Sequence, residues 1–205
     1  MLTISAATSY EPESYVENNA NARIDCGDAL KILGFNFSKQ PNVSVHMGIT
    51  HRKFMRRVWT LRNLKKKGFK QADLLAVYIS MIRPVAEYCH VVFASMITKR
   101  DSEELERIQA QALKSIYGWK ISYRKLLLRS GLDRLDTRRH NAFLEFAKKL
   151  SSNSRYSSWF PKKVYRHHSP RPGAETYKLY PTTTERYLKS PVNSMRRLLN
   201  DLFRP

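Results

Sequence analysis

His51–Lys70 reads HRKFMRRVWTLRNLKKKGFK, with nine Lys or Arg residues and no Asp or Glu. Phe54, Met55, Val58, Trp59, Leu61, Leu64 and Phe69 interrupt the charge. A purely solvated or disordered tail does not place so many large apolar groups among its cations. Wound at 100° per residue, the segment separates into two faces. Met47, Thr50, Phe54, Val58 and Leu61 line one side, and Arg52, Arg56, Asn63 and Lys67 the other. The reading is a helix that buries one face in protein and turns the other to solvent or to a polyanion. An ordinary surface helix is the competing account.

Outward from this run, the composition narrows the choice. The 205 residues carry 37 Lys or Arg against 17 Asp or Glu, a formal net charge of +20. Such an excess opposes compaction by self-repulsion, so an anionic partner is expected. Nucleic acid leads, and an anionic membrane surface follows. The charge is uneven: residues 1–30 carry a net −4, residues 31–160 a net +17 and residues 161–205 a net +7. A nucleic-acid face is therefore expected to begin after residue 30. With 42% hydrophobic residues, the chain can bury the core of one domain, with or without appendages. Cys26 and Cys89 form no CxxC pair and have no spaced His partners, which suggests a reducing compartment without a disulfide framework or zinc knuckle. No apolar stretch approaches the roughly 20 residues needed to span a bilayer, and no signal peptide is evident. An intracellular protein of nucleus or cytoplasm, with no membrane partner, is expected.

The predicted class is mainly α with a short N-terminal β segment, an α+β arrangement. MLTIS at the start alternates apolar residues, whereas Tyr10–Asn21 is polar and rich in turn formers. Ala22–Ile24 and Leu30–Phe37 (LKILGFNF) read as strands around a turn at Asp25–Asp28. Helical periodicity then predicts helices at Val45–Lys67, Gln71–Ile82, Val85–Ala94 (with Pro84 starting or kinking), Ser122–Arg129 and Leu135–Ser151. Another helix carries Leu105, Ile108, Ala112 and Ile116 on one face, after a capping-box spacing at Asp101 and Glu104. Residues 151–182 read as irregular or extended, and Ser190–Phe203 as a final amphipathic piece. The expected division is residues 1–40 as a β segment, 41–152 as a helical domain and 153–205 as a basic, partly irregular tail.

Catalytic and metal sites are sparse. There is no adjacent Asp-Asp pair, whereas two-metal phosphoryl transfer needs carboxylates that hold ions roughly 3.5–4 Å apart. Asp101, Glu103, Glu104 and Glu106 form the one acidic cluster and are expected on a helix surface, where capping and the helix dipole explain them. His167 and His168 lack further ligands at metal spacing. No GxGxxG, GxxxxGK[ST] or GxSxG is present. Cys89 beside His90 reads as a buried structural thiol within an apolar helix. No catalytic residue, metal site or cofactor is expected on this chain.

The order of motifs carries a resemblance. LKILGFNF (Leu30–Phe37) resembles the strand-and-glycine segment that follows the catalytic palm of non-LTR (LINE-type, jockey-like) retrotransposon reverse transcriptases. HRKFMRRVWTLRNLKKKGF is similar to the first basic thumb helix of that family. ADLLAVYISMIRPVAEYCHVVF (Ala72–Phe93) resembles its Tyr, Arg-Pro, Glu-Tyr, aromatic segment through Tyr78, Arg83, Pro84, Glu87, Tyr88 and Phe93. LERIQAQALKSIYGW (Leu105–Trp119), SYRKLLLRSGLDRLDTRRH (Ser122–His140), SRYSSWFP (Ser154–Pro161) and TERYLKSPVNSMRRLLN (Thr184–Asn200) are similar to the family's succeeding segments.

The resemblance implies the end of a palm, a helical thumb and a tail, lacking the [FY]ADD catalytic region that a full-length relative supplies upstream. Any Mg2+ would belong to that palm. The implied partners are an RNA/DNA hybrid or other nucleic acid, together with the palm and fingers. Phosphate contacts would come from Arg52, Lys53, Arg56, Arg57, Arg62, Lys65, Lys66 and Lys67. Leu33 and Gly34 would be equivalent to a primer grip, with Gly34 permitting close backbone approach. Arg138 and Arg139 are secondary candidates, Arg139 equally as a structural ion pair. Phe54 and Trp59 are expected in the core, since phosphate tracking needs no base readout. Leu2, Ile4, Leu33 and Phe35 are expected to present an apolar edge that absent strands would cover. A stand-alone basic RNA-binding protein and a non-functional retroelement relic are the rival readings.

Overall fold

The computed structural model describes residues 15–17, 23–25, 29–38, 43–164, 176–181 and 184–202. The expected MLTIS strand, with Leu2 and Ile4, and the His167–His168 pair lie outside the described residues. The fold is mainly helical with short antiparallel strands at its N-terminal end. β1 (Tyr15–Glu17) lies within the stretch expected to be turn-rich, and it pairs with β2 (Arg23–Asp25), Val16 opposite Ile24. β3 (Ala29–Ile32) pairs with β4 (Phe35–Ser38), Leu30 opposite Phe37 and Ile32 opposite Phe35.

LKILGFNF is thus a hairpin rather than one strand. Its two-residue turn, Leu33–Gly34, has φ 47° and 82°, the positive pair that a type I′ connection requires. The glycine adopts its angle freely, whereas Leu33 costs about 1–2 kcal/mol of left-handed strain. Phe35, expected at an open edge, is buried instead. Its ring lies 4.2 Å from that of His46, which is itself 5.8 Å from Phe93.

α1 (Ser44–Lys66) buries Met47, Thr50, Phe54, Val58 and Leu61, the stripe its period specifies, together with His46. That stripe packs chiefly on α5 (Lys99–Tyr117), whose Leu105, Ile108, Ala112, Leu113 and Ile116 are buried in return. α5 begins one turn earlier than its acidic spacing suggests. Thr98 is the N-cap: its Oγ1 accepts from the Asp101 amide at 3.1 Å and donates to the Asp101 carboxylate at 2.7 Å. Asp101 therefore closes the capping motif at position N3 rather than opening it, because Thr98 supplies the same chemistry three residues upstream.

α2 (Gln71–Val77) runs through a wider π turn (Tyr78–Ile82) into α3 (Arg83–Glu87). Pro84 lacks an amide hydrogen and crowds the carbonyl four residues before it, and the π turn directly ahead of it accommodates both effects. Pro84 therefore sits in the first turn of α3, directly after the π turn, one of the two placements expected for it. The expected continuation to Ala94 breaks at Tyr88, which is extended, and at Cys89, which is left-handed at φ 56°. α4 (His90–Phe93) resumes beyond it. Cys89 is accordingly a half-buried junction residue and not a buried thiol inside a helix.

α6 (Tyr123–Ser130) and α7 (Leu135–Ser152) complete the bundle, joined through Gly131 at φ 66°, a left-handed C-terminal cap. A buried polar chain ties them to α5. Tyr78 Oη donates to Gln109 Oε1 at 2.5 Å, and Gln109 Nε2 donates to Tyr123 Oη at 2.9 Å and to the Asp133 carbonyl at 3.0 Å. Tyr123 Oη donates to Glu106 Oε2 at 2.5 Å, and the other carboxyl oxygen accepts from the Asp136 amide at 2.8 Å. Glu106 was expected on the surface with the acidic cluster, yet it is buried. It faces the first turn of α7, where unpaired amides favour an anion. Burial, then the hydrogen bond to Glu106, push the Tyr123 phenol far above its usual range, and burial does the same to Tyr78.

A second cluster joins Phe143 and Ala147 of α7 to Phe160, Met195 and Leu199. It encloses a 3-10 helix (Ser154–Trp159) and α9 (Pro191–Leu202), which α8 (Glu185–Leu188) precedes. Asn200 holds the extended segment beside it at both ends of one residue, accepting from the Tyr177 amide at 2.8 Å and donating to the Tyr177 carbonyl at 3.0 Å. Arg196 Nε donates to the Trp159 carbonyl at 2.7 Å, and its guanidinium lies 5.0 Å from the Tyr180 ring centre.

Replacing Gln109 by Leu leaves the Tyr78 hydroxyl and the Asp133 carbonyl without partners. The substitution is expected to lower stability by about 2 kcal/mol or more, read as a shift in the urea unfolding midpoint.

Candidate nucleic-acid interface

Between residues 29 and 72 the chain has no acidic side chain, so α1 meets no carboxylate within its own segment. Because its buried stripe is fixed against α5, the remaining surface is set. Arg52, Lys53, Arg56, Arg57, Lys65, Lys66 and Lys67 are exposed and Arg62 is half-buried. Among the described residues, no ion pair engages Lys53, Arg56, Arg57, Lys66 or Lys67. Arg52 Nε donates to the Gly48 carbonyl one turn back at 3.2 Å, which lays its stem along the helix.

Arg62 and Lys65 have partners within the fold. Arg62 donates to Ser115 Oγ at 3.2 Å and to Gln111 Oε1 at 3.3 Å, and its guanidinium lies 5.3 Å from the Trp119 ring centre. Lys65 Nζ donates to the Ile116 carbonyl at 3.0 Å. Both bring positive charge to the C-terminal end of α5, where unpaired carbonyls attract it. Lys65 and Lys66 also occupy the last turn of α1, so part of the cationic run complements that helix's own dipole.

The remaining candidates separate clearly. Leu33 is 87% exposed at the hairpin tip, and its carbonyl accepts a hydrogen bond from Tyr88 Oη. A Cβ at Gly34 would come 3.3 Å from that same hydroxyl, so the close backbone approach here is to Tyr88 of the chain itself. Arg138 is paired with Glu87, its Nη2 3.3 Å from Oε2, and Arg83 reaches the same carboxylate at 3.7 Å. Arg139 is buried and donates to Ser102 Oγ at 2.5 Å, and desolvation pulls it below the usual arginine range. These contacts give Arg138 and Arg139 structural partners.

Phe54 is fully buried, as expected, but Trp59 is 64% exposed. Residue 59 follows Val58 by 100°, which carries it off the stripe toward Arg52, Arg56 and Lys66. The same wheel that finds the stripe excludes Trp59 from it, so the helical period already opposed the core placement expected on the ground that phosphate tracking needs no base readout. Trp119, 59% exposed in the loop after α5, joins the face only through Arg62.

Two clefts accompany this surface. One of about 600 Å³ is lined by residues including His51, Arg100, Asp101, Glu104 and Arg107. Its charges pair internally: Arg107 donates to both Glu104 oxygens at 2.6 and 2.8 Å, which holds the Glu104 carboxyl below its ordinary range. The other, about 480 Å³, lies between Ala94, Ile97 and the first half of α7. The hydroxyl that the first cleft presents with a carboxylate partner is Thr98, whose bond to Asp101 caps α5. Among the described residues, no three His, Cys, Asp or Glu side chains converge as a metal site would need. No helix among them is long and apolar enough to cross a membrane. Comparison with protein-family models, with curated proteins and with solved structures finds no match.

Arg62→Ala removes two hydrogen bonds between α1 and α5 and a cation–π contact with the loop after α5, and is expected to destabilise the fold by about 1–2 kcal/mol. Lys67→Ala, at an exposed site, is expected to stay within about 0.5 kcal/mol of the native value. Parallel thermal unfolding of the two variants reads the difference.

Proposed function

We propose that the chain binds nucleic acid through the solvent face of α1, as the thumb-like C-terminal part of a retrotransposon-type reverse transcriptase. The observation that carries this reading is one helix face bearing Arg52, Lys53, Arg56, Arg57, Lys66 and Lys67, with no acidic residue in the segment. Its opposite face is locked in the core. A rigid cationic ridge of this kind suits a phosphate backbone, where released counterions supply most of the binding free energy. Phosphate contacts of this sort position a strand or duplex without reading its sequence.

The family reading rests on the order of motifs from Leu30 to Asn200, and the hairpin-then-helices succession agrees with a palm edge leading into a thumb. The chain acts as a binding element, and DNA synthesis belongs to the palm carboxylates of a full-length relative. The Leu33–Gly34 turn, at the tip of the hairpin, serves as the primer-grip counterpart. The setting is intracellular, in nucleus or cytoplasm, with an RNA/DNA hybrid or other nucleic acid as the ligand.

Fluorescence anisotropy with a labelled hybrid, repeated over a range of salt, tests this. Neutralising roughly four to six phosphates gives a log–log slope of about −0.9 for each. The double variant Arg56→Glu/Lys66→Glu lowers affinity at least about tenfold and flattens the slope by about 2. A slope near zero for the native chain sinks the binding reading. In a primer-extension assay with Mg2+, the chain alone is expected to make no product, and clear extension refutes the division of labour.

A further inference from the structure

We propose that Trp59, Arg62 and Trp119 form a stacking ridge for unpaired nucleobases, so that the basic face of α1 takes single-stranded nucleic acid, or a frayed duplex end, in preference to continuous duplex. The proposal rests on the nucleic-acid reading above and specifies which form of nucleic acid the site takes.

A face that tracks phosphates needs cations and nothing more, and a bulky indole at its middle would hold the helix off the sugar–phosphate rails. Trp59 stands in that position, with Arg56 three residues before it and Lys66 seven after, on the same exposed side. Arg62 is its neighbour at i+3, where side chains sit about 5–6 Å apart. The Arg62 guanidinium is held by Ser115 and Gln111, so its plane is fixed before any ligand arrives. It lies over Trp119, which stays 59% exposed and is followed by the exposed Lys120.

The helical period makes Trp59 and Arg62 neighbours on α1, Arg62 stacks on Trp119, and exposed cations flank the group. Flat π surfaces beside a positive groove are the features by which single strands are held without sequence preference. Arginine and tryptophan are also the side chains on which unpaired bases stack. In continuous duplex each base face is covered by its neighbours, and only edges and phosphates remain for contact. The ridge therefore discriminates by pairing state, not by sequence.

The test uses the full chain carrying Trp159→Phe, so that emission comes from Trp59 and Trp119. A 15-residue oligothymidylate is compared with a blunt hairpin duplex of equal phosphate number. The expected result is tighter binding of the oligothymidylate, with quenching of tryptophan emission. Trp59→Ala and Trp119→Ala should each weaken it about tenfold at an unchanged salt slope, with duplex affinity unaltered. Equal affinity for the two forms overturns the proposal. So does unchanged oligothymidylate binding in both tryptophan variants while Arg56→Glu/Lys66→Glu loses it, an outcome that leaves the phosphate-binding role standing. Loss of binding to phosphatidylserine vesicles in Trp59→Ala, with the oligonucleotide unaffected, assigns the indole to a membrane surface and overturns it as well. A fall in sedimentation coefficient in that variant assigns the indole to a second copy of the chain. If the native chain binds neither oligonucleotide at low salt, the phosphate-binding role falls with the stacking ridge.

Discussion

The packing of α1 on α5 fixes the rest of the molecule. Five side chains from Met47 to Leu61 leave water along one stripe, each apolar one contributing about 1.5–3 kcal/mol. That contribution offsets the repulsion of the cations on the opposite face, which have no carboxylate on their own helix to relieve it. Once the stripe is seated, the direction of each Lys and Arg follows from helical geometry alone. Arg62 and Lys65, at the edge of the contact, turn back onto the α5 terminus, and the others project outward.

The far side of α5 solves a different problem. Its buried carboxyl, Glu106, would be costly without partners. It has a tyrosine hydroxyl on one oxygen and a helix-starting amide on the other. Gln109 extends the chain to a second tyrosine and to the loop that enters α7. α5 thus carries an apolar ridge toward α1 and a polar one toward α6 and α7. The C-terminal elements, with their own small cluster, attach to the outer half of α7.

Much of this was legible in the sequence, and the failures are instructive. The α1 stripe followed from period alone because five positions agree. The helix expected at Ser122–Arg129 likewise followed from its period and forms as α6. The LKILGFNF hairpin was not visible, since a Leu-Gly turn lacks the usual Asn or Asp and the apolar run through it looks continuous. Glu106 was misread because helix-surface carboxylates are common, and nothing local announces a tyrosine arriving from seventeen residues away. Trp59 was expected inside because phosphate contacts need no base readout, although its position on the helical wheel argues for the surface. In the site, residue identity pointed to the cations, but only tertiary contacts distinguish Arg62 and Lys65 from their neighbours.

The hydroxyl of Tyr88 reaching the Leu33 carbonyl has a mechanical consequence. Tyr88 sits at the interruption between α3 and α4, directly after Glu87, and Glu87 grips Arg138 on α7. The hairpin turn and α7 are therefore both anchored to the one interruption between α3 and α4, the first through a phenol and the second through a carboxylate.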